Sequence, residues 1–250
     1  MKPWGKFAAA LLFVAMMAAP VAAQDSGLGA AQMLDKVDDA VNGAKDQKST
    51  MTLVLIDKNG KEATRELVMY QKGRDRRLAK FLSPADQRGI AFLSLPDDVQ
   101  YVYLPAFGKS RRIASSVKNT SFAGTDFTYE DMQAVRMSDL WNAKIADRGD
   151  TTTTLELTPK PTTKSEYSKI LITFRNDTYF PIETRHFDAQ GNLEKIMTRE
   201  DLKQVQGFWV AGLTVMKDLK KNHTTKMILS NVELNSGLGD DIFTERYLSR

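Results

Sequence analysis

From Gly43 to the C-terminus the chain alternates with a period of two almost without a break, and no other feature restricts its fold as strongly. Successive side chains of a strand point to opposite faces. Short alternating runs bounded by turn residues therefore specify antiparallel sheet. Residues 51–56 form a β-rich run, Asp57-Lys58-Asn59-Gly60 supplies a turn, and residues 61–72 return. Asn-Gly is the strongest short hairpin signal, because both positions tolerate positive φ. Residues 76–82, 89–95 and 99–104 follow, punctuated by Pro84, Pro96 and Pro105. In the second half, strands are expected over 143–146, 151–158, 168–175, 182–188, 193–205, 208–217 and 224–234. Ala189-Gln190-Gly191-Asn192 reads as a further turn, and Gly212 as a bulge or bend inside its strand. Before all of this, Met33, Leu34, Val37, Ala40 and Val41 recur at helical spacing and predict a helix over 30–42 that stops at Gly43. A second helix is expected near the middle, and a short helix or turn over 240–248. No linker or low-complexity tract divides the chain, so it reads as one mainly β domain of about ten or eleven antiparallel strands.

Several strands are apolar on both faces. Leu53 and Leu55 lie on one face of their strand, Val54 and Ile56 on the other; Val99, Tyr101 and Tyr103 oppose Val102 and Leu104. A sheet with one wet face shows one polar row, so each face here needs a cover. Helices can supply one. The other is a second sheet, as in a filled sandwich, or the sheet wraps around an apolar cavity.

The N-terminus reads as an address. Lys2 and Lys6 precede an apolar run from Phe7 to Ala19, far short of the ~20 residues that span a bilayer. Pro20 ends the run, and Val21-Ala22-Ala23 offers a cleavage site, so residues 1–23 are expected to be a signal peptide and 24–250 the exported domain. Removing 23 residues from 250 leaves 227, and losing two lysines from 35 basic residues leaves 33 against 31 acidic. A net charge of +2 is no argument for nucleic acid. The remaining basic clusters read as solvated strand faces, or as peripheral contacts with anionic headgroups or an acidic partner. With no cysteine, the chain can form no disulfide, thiol nucleophile or iron–sulfur centre. Its two histidines, His186 and His223, are expected at the surface rather than as ligands or bases. No nucleophile elbow or phosphate-cradling loop is present, and no metal or cofactor site is expected.

Residues 101–132 concentrate aromatics, paired arginines and the stretch Ser121-Phe122-Ala123-Gly124-Thr125-Asp126-Phe127-Thr128-Tyr129-Glu130-Asp131. Together with Phe81-Leu82-Ser83-Pro84, Gly89-Ile90-Ala91-Phe92-Leu93, Tyr103-Leu104-Pro105 and Arg111-Arg112-Ile113, they make the chain resemble the outer-membrane lipoprotein-sorting (LolA-like) periplasmic proteins. The likeness is to the longer branch found with resistance-nodulation-division type exporters. It runs from about residue 50 to the C-terminus.

The resemblance implies a strongly curved antiparallel sheet, an incomplete barrel closed by an N-terminal helix and short covering helices. It implies a non-enzymatic carrier in the periplasm of a Gram-negative bacterium, without cofactor, that shields acyl chains of a lipid or lipoprotein in transit towards the outer membrane, with an inner-membrane exporter as partner. A sixteen-carbon chain exposed to water costs on the order of 12 kcal/mol at about 0.8 per methylene, so a hollow is the physical requirement. Leu53, Leu67, Met69, Phe92, Tyr101, Tyr103, Phe174, Trp209 and Leu213 are the candidate cavity residues. Arg111, Arg112, Gly124, Thr125, Asp126, Phe127, Tyr129, Glu130 and Asp131 are expected either to fix a loop across the mouth or to form a partner surface. A lipid sensor or accessory subunit, or an envelope hydrolase with a carboxylate site, are the alternative readings.

Overall fold

The computed structural model describes Met1 and residues 27–250; apart from Met1, the expected signal peptide lies outside the described residues. Helix α1 (Ala30–Asn42) begins after Gly29 and ends at Gly43, and it turns Met33, Leu34 and Val37 inward. Six strands follow: β1 (Asp46–Ile56), β2 (Glu62–Lys72), β3 (Arg76–Ser83), β4 (Ala91–Leu95), β5 (Val99–Leu104) and β6 (Lys109–Arg112). Residues 113–136 then run without a strand to the short α2 (Met137–Leu140). Seven more strands complete the sheet: β7 (Trp141–Arg148), β8 (Thr152–Pro159), β9 (Lys169–Arg175), β10 (Pro181–Phe187), β11 (Leu193–Val205), β12 (Phe208–Asp218) and β13 (His223–Leu234). The chain ends on α3 (Glu245–Leu248).

All thirteen strands belong to one antiparallel sheet in the order β6-β5-β4-β3-β2-β1-β13-β12-β11-β10-β9-β8-β7. The count exceeds the expected ten or eleven. One reason is β6, whose Lys-Ser-Arg-Arg sequence carries no alternation and is held as a strand only by pairing with β5. Neighbours in sequence are neighbours in the sheet except at one place, where β1 pairs with β13 and joins the two halves. Strands β6 and β7 are the free edges, so the curved sheet stays unclosed.

The ladder registers assign each side chain to a face. One row runs Phe92, Ala79, Met69 and Ser49 across β4, β3, β2 and β1, and a parallel one runs Phe81, Leu67, Met51 and Leu229 into β13. The same inner face continues through Thr225 and Met216 to Met197, Thr184 and Ile172. Its covers are two. Helix α1 packs Met33, Leu34 and Val37 against Trp141, Leu155, Leu157, Ile170, Ile172 and Phe174. The segment between β6 and β7 crosses from one sheet edge to the other and lays Phe122, Phe127 and Met132 on Leu53, Leu67, Phe81 and Phe92. The outer face is covered in part by the C-terminal residues, where Phe243 and Leu248 pack on Leu78, Leu93, Tyr101 and Tyr103. Two apolar faces are thus explained by one sheet with a cover on each side.

Gly212 stands opposite Asp201, which adopts φ +52° within β11. A Cβ on Gly212 would lie 3.0 Å from the Cβ of Asp201 and 3.1 Å from its carbonyl oxygen. Register is unbroken on both sides, from Glu200 opposite Leu213 to Leu202 opposite Ala211. The glycine therefore accommodates a bend with close backbone approach, not an inserted residue.

Candidate functional site

Phe122, Phe127 and Met132 are at most 6% exposed, so the crossing segment 113–136 is part of the interior. Its own turn is closed by Phe122 N–H donating to Phe127 O at 2.8 Å and by the Thr125 hydroxyl donating to Phe122 O at 2.7 Å. Ala123 and Gly124 both take positive φ there, and the Arg65 guanidinium donates to Ala123 O. Ring contacts tie Tyr129 to Phe92 and Phe122.

Polar staples hold the segment to distant strands. The Asp126 carboxylate accepts from the Thr225 hydroxyl at 2.7 Å and shares a 2.7 Å hydrogen bond with His223, both on β13. Ala134 N–H donates to Ser94 Oγ on β4 at 3.2 Å, and Arg77 on β3 donates to Met132 O at 3.1 Å. Asp131 accepts from Tyr167 at 3.0 Å and pairs with Lys195 of β11 at 3.3 Å. Burial works against ionisation of Asp131, but the Lys195 ammonium and the Thr128 hydrogen bonds outweigh it and hold the carboxyl below its ordinary value. The half-buried Glu130 carboxyl is pushed up by its desolvation, although Ser165 donates to it.

Helix α1 is locked to the same segment. Both oxygens of Asp38 cap α2, accepting from Met137 N at 2.9 Å and Ser138 N at 3.0 Å. Arg136 pairs with Asp35 at 2.6 Å. The two inner-face covers therefore form one connected layer.

Between the covers the inner face is less filled. Met197, Met227 and Leu229 pack at the margin of the apolar cluster and stay half-buried, as do Gln71, Arg77, Arg199 and Thr214. Methionine side chains are unbranched and polarisable and adapt to irregular apolar partners. A separate cavity of about 260 Å³ opens beside Thr128, Glu130, Tyr167, Asp188, Lys195 and Lys220. It is polar, and it falls below the ~300–1,000 Å³ of small-molecule pockets.

The candidate cavity residues divide among several places. Leu53, Leu67, Met69 and Phe92 come together on the inner face, under the crossing segment. Phe174 belongs to the part of that face covered by α1. Tyr101 and Tyr103 lie on the opposite face against the C-terminal residues, a correction set by strand phase. Leu213 pairs with Ile228 on the outer face, and Trp209 lies at the far end of β12, beside Gly43 and Gln47.

Of the motif residues, Thr125, Asp126 and Phe127 are buried, while Gly124, Tyr129, Glu130 and Asp131 hold the crossing turn or its staples. Arg111 and Arg112 sit exposed on edge strand β6, with Arg111 over the Phe107 ring at 5.2 Å. They do not pair with the acids of the motif among the described residues. His186 corrects another expectation: it is 5% exposed, facing Tyr167, and burial pushes its imidazole down to about 4. His223 is half-buried on Asp126. Arg77, expected with Arg74 and Arg76 in a basic cluster on a solvated face or a peripheral contact, instead turns inward to Gln71 and Met132. Lys195 and Arg199 were not singled out from the sequence, and a basic residue at an inward-phased strand position is the signal that marks them.

Residues 73–250 match the model of a protein family described as an uncharacterized protein. The chain belongs to that family. Its fold is that of the outer-membrane lipoprotein-sorting, LolA-like proteins. A Vibrio parahaemolyticus domain described as an outer membrane lipoprotein-sorting protein is 26% identical, with a TM-score of 0.80 over 88% of this chain and 98% of that one. A DUF1329 family protein from Desulfovibrio piger is also 26% identical, at TM-score 0.81 over 87% and 97% of the two chains. A LolA superfamily protein from Nitrosomonas europaea shares the LolA-like fold at 19% identity, TM-score 0.74, over 88% and 99%. No curated protein matches the chain. Among the described residues, no helix is long and apolar enough to cross a membrane.

Proposed function

We propose that the protein is a non-enzymatic periplasmic carrier that shields the acyl chains of a lipid or lipoprotein on the inner face of its curved sheet. The observation that carries this reading is the half-buried strip of Met197, Met227 and Leu229 left between two covers. An unclosed sheet with a removable inner cover meets the two demands on a carrier, to hide a greasy chain and to release it. The similarity to a domain described as lipoprotein-sorting supports the same reading. The interior of the N-terminal half is filled by Phe122 and Phe127 rather than empty. Loading therefore proceeds by displacement of the crossing segment, whose staples are mostly polar and can be exchanged for water.

Residues 24–250 act in this reading as one exported domain, released from a signal peptide. Cargo moves towards the outer membrane, and a resistance-nodulation-division type exporter in the inner membrane is the partner that hands it over.

Organic extraction of the purified protein followed by lipid mass spectrometry tests the reading. Stoichiometric acyl lipid is expected in the wild type and little in Met227→Lys, with both proteins equally folded by circular dichroism. Absence of bound lipid, together with no uptake of added acyl chains by the emptied protein, would overturn it.

A further inference from the structure

Two cations on the inner face lack the anions that buried cations ordinarily require. Arg199 lies on one cross-strand row with Thr214, Met227 and Leu53. It is two residues from Met197 on the same strand, so both side chains leave the sheet on the inner face. Its Nη1 is buried without a hydrogen-bond partner. Arg77 shares the face through its pairing with Gln71 and Ser94. Its partners are neutral, Gln71 Oε1 at 2.8 Å and Met132 O at 3.1 Å. Among the described residues, neither arginine makes an ion pair with a carboxylate.

The two stand on β3 and β11, five strand positions apart in the sheet. On a flat sheet that is about 24 Å, at 4.8 Å per strand. The Arg77 charge nevertheless adds to the burial that lowers Arg199 to about 10. Met132, whose carbonyl accepts from Arg77, and Met227, on the Arg199 row, pack in one apolar cluster, so the two arginines stand around the same part of the inner face. Both remain charged at neutral pH, and two uncompensated guanidinium groups there repel one another. Gln100, on the same row as Arg77 through Ser94, leaves both side-chain polar atoms buried and unpartnered as well.

A guanidinium presents a planar fork of donors that matches the two oxygens of a carboxylate or phosphate. We propose that Arg77 and Arg199 form an anion site on the inner face, one that takes the carboxylate or phosphate head of a ligand whose tail lies on Met197, Met227 and Leu229. The tail placement rests on the carrier reading; the anion site does not. The ligand class becomes an anionic amphiphile, with the head held inside the hollow rather than left in water.

Emptied protein titrated with dodecanoate and with dodecanol at pH 8 tests the site. Dodecanoate is expected to bind about tenfold more tightly in the wild type, the size of a charge-assisted hydrogen-bond contribution. Arg199→Gln should lose that preference and still bind dodecanol, and Arg199→Lys should retain part of it. A free-anion site would show instead as inorganic phosphate raising the Tm of the wild type but not of Arg199→Gln, with dodecanoate and dodecanol bound alike. Equal binding of acid and alcohol in the wild type with no phosphate effect overturns the anion site, as does a preference that survives Arg199→Gln. Failure of the wild type to bind dodecanol counts against the carrier reading alone, because the phosphate measurement still decides the site.

Discussion

The side chains of Lys195 and Asp131 are 3% and 7% exposed, and each leaves the other an unpaired buried charge if removed. Breaking such a pair costs about 3–5 kcal/mol, whereas replacing both partners is far milder. Lys195→Met is therefore expected to lower the urea midpoint strongly, and the double variant with Asp131→Leu to recover much of the loss. His186, on the same face, tests the electrostatics from the other side. Asp131 favours its protonation, but burial, Lys195 and Arg199 oppose it, and the folded value of about 4 lies below the ordinary 6.5. A depressed value means the unfolded chain takes up the proton first. The contribution is intact above pH 6.5 and is lost as pH falls towards 4. Urea midpoints between pH 7 and 4 should fall less steeply in His186→Gln than in the wild type. A histidine of this kind was hidden from sequence reading, because period-two alternation names two faces without naming the inner one.

Among the elements, α1 was legible to its last residue. Its apolar spacing and the Gly43 stop are local signals, and they suffice where one face packs on a sheet. Strand β1 extends five residues upstream of its expected start, through Asp46-Gln47-Lys48-Ser49-Thr50. That polar stretch has no strand periodicity of its own and is held by ladders to β2 and β13 on both sides. The short α2 shows the same dependence. Its four residues could not persist alone, since helix nucleation is costly, and Asp38 supplies the acceptors for its first amides. Asp38→Ala should cost about 1–2 kcal/mol. Hydrogen exchange should speed up most at Met137 and Ser138, leaving the β-sheet amides as protected as before.

At the scale of the molecule, the connection from β6 to β7 decides how the protein can work. A link between the two free edges must pass over one face, and here it passes over the inner one and fills it. If loading requires that cover to lift, fastening it should block uptake. The Thr225 hydroxyl reaches both Asp126 N–H and carboxylate, at 3.0 and 2.7 Å, so cysteines at these two positions are close enough to bridge. The chain has no other cysteine to interfere. Oxidised Asp126→Cys/Thr225→Cys protein is expected to take up dodecanol at least several-fold more weakly than the same protein after reduction. Equal uptake in the two states would show that ligand reaches the inner face with the segment in place.

The sequence by itself determined the strands other than β6 and the start of β1, the hairpin turns and the opening helix, because alternation, turn chemistry and helical spacing act between residues close along the chain. Its motif stretch also pointed to the segment that matters most. Only the tertiary structure decided that β1 pairs with β13, that residues 113–136 lie inside, and that Phe92 and Arg199 look inward while Tyr101 and Leu213 look out. Those outcomes depend on contacts between residues far apart in sequence. Alternation reads the same when the two faces are exchanged, so the choice waits on what the folded chain lays against each.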